Sequence, residues 1–349
     1  MSHDQQVSNR IAMLRFLMIA GVVLLHTPMN VPMPLVGNGV FDFIKALFQN
    51  VVFRTTVPVL TCISGYLLFS SGLDLAPTKL WKKKFKTLVI PFLVFNTGLF
   101  VLALFAQAKL GLKFSDDLLP FNEKVWSNAL LGLRGSPINY PLNFIRDLVA
   151  LVLLAPLFGA VLRSAPLVGL AVVWMFFMYN LDGAIVLRNN MAVMFYVGGM
   201  LGVSKGNLLM LDKYAPLSLV IFSALCVVLV VFRVANTTYL GYVAPFLLWS
   251  ISAMVVNTRV GKWMGKMSKY SFFIFIAHAP VLYLTWFVYG KMGSMVPYPV
   301  YWVTAPVVTI AFLVVVYQQA MKVAPGFFSS IIGAKQKKPA PVVALVKAT

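Results

Sequence analysis

Acidic side chains are scarce in this sequence: nine aspartates and glutamates stand against 29 lysines and arginines, and charged residues make up only 11% of the 349 positions. A soluble domain carries about a quarter charged residues, and a chain that is 60% hydrophobic could not cover its surface with polar groups in water. A soluble globular fold is excluded. Histidine is rarer still, with His3, His26 and His278 the three copies. Neither His26 nor His278 has a second ligand residue at i±3 or i±4, so no metal site is expected. Cys62 and Cys226 both fall inside apolar runs, where they read as packing residues and leave the redox compartment open. The short alternating segments of a transmembrane barrel are missing. No internal repeat is visible, which argues against a transporter built from related halves.

What is present is a succession of apolar runs close to the roughly 20 residues that cross a bilayer as helix. Bounded by proline, glycine and charge, they fall at about 10–28, 49–70, 86–108, 143–162, 166–181, 190–204, 215–233, 238–257, 270–290 and 299–322. The expectation is an all-α polytopic membrane protein of about ten transmembrane helices, with a break or mis-segmentation possible between the short fifth and sixth runs. A single domain would cover 1–333, and 334–349 would be a flexible basic tail. HTPMNVP rather than an A-x-A arrangement follows the first run, which is therefore expected to remain an uncleaved span. Most lysines and arginines, including those of KLWKKKFK (79–86) and RVGKWMGKMSK (259–269), fall on the side of the termini, which the positive-inside rule makes cytoplasmic. The longest loop, about 109–142, would then face outward. The formal charge of +20 serves orientation and anionic ligands better than nucleic acid, because no stacking platform is interleaved with it.

Polar residues inside the runs are the candidate functional groups, since an ionisable side chain is costly to hold in a membrane. Arg15 and His26 have ten residues between them. Eleven helical steps make about three turns, so the two share one face at a separation of roughly 16 Å. Arg15 could merely snorkel to the headgroups and His26 could merely bond a neighbouring helix. Histidine is also the side chain best suited to move a proton near neutral pH. Ser64 and Gly65 allow close approach of a ligand or another helix, and Arg54 lies near the end of the same run, as a site residue or an interfacial anchor. Lys83 and Lys86 share a face if that stretch is helical, where they could meet phosphates or only anionic lipid. Arg146 and Asp147 open the fourth run. Adjacent helical residues point about 100° apart, so these two are expected to face different partners, structural or substrate. YVGGMLG (196–202) reads as a packing face, and His278 as a hydrogen-bonded core histidine unless recruited to a site.

Four segments in order are similar to motifs of one family. R-x10-H at Arg15 and His26, VPVLTCISGYLLF (57–69) with Arg54 upstream, PLNFIRDLVALVLLAPL (141–157) and YSFFIFIAHAPV (270–281) together resemble the acyltransferase-3 family of integral-membrane O-acyltransferases. Departures from the pattern are Lys83 and Lys86 for an arginine pair, Asn143 for a tryptophan, and Leu60-Thr61 for two phenylalanines. An ammonium keeps the charge and loses the bidentate fork of a guanidinium.

The resemblance implies an enzyme that moves an acyl group, acetyl or another, from acetyl-CoA or another acyl-CoA to a sugar hydroxyl of a surface or secreted glycan or its lipid-linked precursor. It would act in a bacterial inner membrane, in possible association with polysaccharide assembly machinery. In that reading His26 is catalytic, Arg15, Lys83 and Lys86 bind acyl-CoA, and Arg54, Ser64, Arg146, Asp147 and His278 contact the acceptor or support the site. The acyl-CoA is a co-substrate, with no bound cofactor or metal and no nucleic-acid partner. A transporter or flippase of a lipid-linked glycan is the alternative, and a structural subunit of an export complex a third.

Overall fold

Apolar runs become helices throughout the computed structural model, which describes residues 2–111, 117–181, 183 and 185–334. The order is α1 (His3–Leu25), α2 (Val40–Ala46), α3 (Thr56–Ser70), α4 (Pro77–Lys84), α5 (Ile90–Leu110), α6 (Glu123–Leu131), α7 (Asn143–Ser164) and α8 (Pro166–Met178). After these come α9 (Asn189–Ser204), α10 (Ala215–Val231), α11 (Leu240–Val255), α12 (Arg259–Met267), α13 (Ser271–Met292), α14 (Tyr298–Val323) and α15 (Pro325–Ile331). No strand occurs among the described residues.

Seven helical stretches among those residues are long and apolar enough to cross a membrane, while α8, α9 and α11 are apolar but shorter. Each of the ten expected runs lies on one of these helices. The fifth and sixth are separate helices, α8 and α9, rather than one broken span. The expected outward loop 109–142 holds α6, whose Trp126 and Ala129 pack with Phe100 and Leu118, and Asn122 caps its start by accepting from the backbone of Lys124 and Val125. Residues 112–116 of that loop and 335–349 of the expected tail lie outside the described residues.

The most buried stretches are α1 and the run from α2 to α3, and α10 is the least buried. Leu217, Val220 and Val231 on α10 are exposed, as lipid-facing residues would be. The two small-residue faces found in the sequence belong to one contact: a Cβ on Gly65 of α3 would strike the Phe195 carbonyl of α9, and one on Gly198 of α9 the Cys62 carbonyl of α3. Glycine lets these backbones touch, the usual route to helix association where lipid is as apolar as the helices.

Two breaks in regular helix shape the interior. Between α2 and α3 the chain passes through a π turn, Leu47–Val51, and a 3-10 turn, Val52–Thr55. Between α4 and α5 lies a second π turn, Phe85–Val89. Single π turns shift the register of the residues after them and cluster at functional positions.

Candidate active site

His26 caps the end of α1, where the pre-proline position of Thr27 disfavours further helix. The last carbonyls of a helix need partners. Buried Gln49, from the first π turn, supplies them: its amide donates to the Leu25 carbonyl at 3.0 Å and to the Thr27 carbonyl at 2.7 Å. The backbone is thus clamped on both sides of His26.

Opposite stands His278, fully buried on α13. Its Nδ1 lies 2.7 Å from the Phe275 carbonyl and 3.2 Å from that of Ile274. A carbonyl only accepts, so this nitrogen carries the proton, which leaves Nε2 of the neutral ring as an acceptor. That Nε2 is 3.0 Å from His26 Nδ1, so His26 donates through Nδ1 and its own Nε2 keeps the free lone pair. The rings stack with centroids 5.3 Å apart, and Tyr140 stands edge-on to His26 at 4.8 Å.

Proline explains how Tyr140 arrives there. Pro280 has no N–H, so the Ile276 carbonyl one turn earlier loses its helical partner. Asn139 donates to that carbonyl at 3.2 Å, and its own backbone N–H donates to Asn96, whose amide in turn holds the end of α6 through Ala129 and Leu130. The residue next to Asn139 is therefore delivered to the histidines.

Two cavities of unlike character lie in the bundle, and neither His26 nor His278 is among the residues that line them. Towards the start of α1 lies a cleft of 380 Å³ lined by Arg15, Lys83, Lys84, Ser64, Ser271 and Phe275, among others. Lys84 is close enough to Lys83 and Arg15 to feel both charges. Ser271 Oγ is buried in this wall without a partner among the described residues. Lys86 does not line the cleft. A π turn begins at Phe85, between Lys83 and Lys86, and Lys86 is exposed with its backbone against Gly333. The second is a polar cavity of 570 Å³ lined by Arg54, Arg188, Asn180, Asn190 and the turn 236–239, among others. The charges of Arg54 and Arg188 both reach His26.

Arg146 and Asp147 do not face different partners. The long arginine side chain bends back so that its Nη1 donates to Asp147 Oδ1 at 2.8 Å, while Arg146 also reaches the carbonyls of Gly132 and Ile185. Asp147 accepts in addition from the backbone of Leu187 and Arg188, each at 3.1 Å, and so fastens the entry to α9. Burial holds the Arg188 guanidinium below its usual range, with Asp147 opposing that shift and Arg54 adding to it. A guanidinium remains charged nonetheless.

The structure thus brings His26 to His278, Arg15 to Lys83, and Arg54 to the far cavity. Arg188, Lys84, Gln49 and Tyr140 are additional members. Arg188 stood two residues before an apolar run and Lys84 inside a basic cluster, so residue type offered a hint. For Gln49 and Tyr140 the signal was nearby proline and a helix end rather than charge. Among the described residues no group of three or more metal-ligating side chains is assembled.

The chain matches the family described as "Acyltransferase domain" over residues 9–318. It is also similar to the succinoglycan biosynthesis protein ExoH of Rhizobium meliloti (strain 1021), at 32% identity, with 95% of this chain and 94% of that protein covered. No solved structure matches.

Proposed function

Since the chain belongs to the acyltransferase-domain family, we propose that it is a membrane O-acyltransferase that moves an acyl group, acetyl or a larger one, from an acyl-CoA to a glycan hydroxyl. The glycan is suggested by the biosynthetic role in the relative's name. The observation that carries the reaction is the one-way hydrogen-bond chain from the Phe275 carbonyl through His278 to His26, which leaves the His26 Nε2 lone pair unused by that chain, within reach of the charges of Arg54 and Arg188.

Acyl-CoA takes the cationic cleft. Its phosphates meet Arg15, Lys83 and Lys84, and the pantetheine arm runs along α1 over the roughly 16 Å that separate Arg15 from His26. The glycan, free or lipid-linked, takes the polar cavity. His26 Nε2 removes the proton of the acceptor hydroxyl as its oxygen attacks the thioester carbonyl. The imidazolium formed stays hydrogen-bonded through Nδ1 to the neutral His278. Collapse of the tetrahedral intermediate breaks the C–S bond, and the departing thiolate takes the proton from His26 to give free CoA and the ester. With both termini cytoplasmic in a bacterial inner membrane, the donor enters from the cytoplasm and the acceptor from the outer face.

The test is acceptor-dependent thiol release by the purified full-length protein in nanodiscs, coupled to mass spectrometry of glycans from cells with and without it. His26→Ala should lower the rate by at least about a hundredfold while the protein remains folded and inserted. A rate near that of the parent would remove His26 from the chemistry.

A further inference from the structure

At the His26 end two guanidiniums line one cavity, and neither forms an ion pair among the described residues. Among the described residues the arginine ion pairs are Arg10–Asp212, Arg146–Asp147 and Arg163–Asp74, and neither Arg54 nor Arg188 has a carboxylate partner. The charge of Asp147 reaches Arg188, yet its oxygens are already bonded to Arg146 and to the backbone N–H groups of Leu187 and Arg188. It holds the main chain of Arg188 and leaves the side chain to the cavity. Arg188 also feels the charge of Arg54. Like charges kept together beside an apolar bundle destabilise the empty site, and a bound anion reverses that. A neutral sugar needs only hydroxyl and amide partners, which Asn180, Asn190, Thr238 and Tyr239 already offer. The volume of 570 Å³ leaves room for a sugar ring beside an anionic group.

We propose that Arg54 and Arg188 form a carboxylate site that holds an acidic group of the substrates beside His26. The inference rests on the acyl-transfer reading and narrows its substrate class. The carboxylate has two possible sources: the distal end of a dicarboxylic acyl group, or an acidic sugar of the acceptor. Planar forks suit either, because each guanidinium can grip a carboxylate through two parallel N–H donors.

Equilibrium binding to the full-length protein in phosphatidylcholine nanodiscs separates the sources. Four probes are needed: succinyl-CoA against acetyl-CoA, and a uronate-bearing tetrasaccharide against its carboxyl-reduced twin. At least one acidic probe should bind about tenfold or more tightly than its neutral twin, and the preference should weaken with salt. Arg54→Gln and Arg188→Gln should each erase the preference, and the corresponding lysine variants, which keep the charge, should restore part of it. A preference for succinyl-CoA names the acyl group; a preference for the uronate names the acceptor. Equal binding of both members of each pair, or a preference that survives the substitutions, overturns the site. Because binding is read without turnover, charge-selective binding by a protein that never releases CoA thiol would uphold the carboxylate site and reject the acyl-transfer reading. Turnover without charge selectivity would do the reverse.

Discussion

Neutral imidazole has one donor and one acceptor, and the order in which His26 and His278 use theirs is set by a backbone carbonyl. Were the Phe275 carbonyl not there, either tautomer of His278 would satisfy the pair. With it in place, His278 can only accept from His26. His278→Ala should therefore lower kcat by about a hundredfold with little change in acyl-CoA binding, because it removes the group that orients the base and not the cleft that holds the donor. Thiol release and direct binding, measured on the same folded preparation, check the split. Gln49 acts on the same ring through the backbone. Gln49→Ala strips the Leu25 and Thr27 carbonyls of their donor, which should cost about 1–3 kcal/mol of stability, seen as a lower melting temperature, and reduce kcat more than acyl-CoA affinity.

Helices position these residues by their interruptions as much as by their regular turns. Lys83 and Lys84, just before the π turn that follows α4, line the cleft with Arg15, and Lys86 within that turn does not. Lys83→Ala and Lys84→Ala should each raise the KM for acyl-CoA by a few fold, about the effect of losing one charge-assisted contact that is partly solvated, whereas Lys86→Ala should leave it unchanged. Steady-state kinetics with acyl-CoA as the varied substrate distinguish the three. Pro280 works in the same way on α13: it frees the Ile276 carbonyl, Asn139 occupies it, and Tyr140 is carried to His26. The glycines of α3 and α9 do the reverse, removing bulk so that two helices meet backbone to backbone.

On the scale of the whole bundle, the cationic cleft and the polar cavity are separate, and the proposed chemistry needs these to open on opposite sides of a membrane. Both native cysteines are buried, so introduced thiols can report on sidedness. A cysteine at exposed Lys82 should react with a membrane-impermeant maleimide only after the inner membrane is opened, and one at exposed Asn236 should react from outside in intact spheroplasts. Labelling of both from one side would refute the split.

Hydropathy, helix ends and the Arg15–His26 spacing were legible in the sequence because each depends on neighbours along the chain. Burial of apolar surface in lipid selects helix wherever a run is long enough, so the ten runs all lie on helices, and a regular α1 carries Arg15 and His26 on one face whatever surrounds it. The ordered motifs identified the family for the same reason. Pairing across the bundle was not legible. His26 and His278 are separated by most of the chain, and nothing local to either requires the other. The presence of Lys84 rather than Lys86 in the cleft, the bend of Arg146 onto Asp147, and the placing of Arg54 and Arg188 in one cavity likewise depend on contacts between helices distant in sequence. Local pattern determined an α-helical membrane protein with an arginine and a histidine on its first helix. Only the packing of α1 against α13, and the breaks that aim side chains between them, decided that His26 donates to His278 and keeps its own Nε2 lone pair free of that bond.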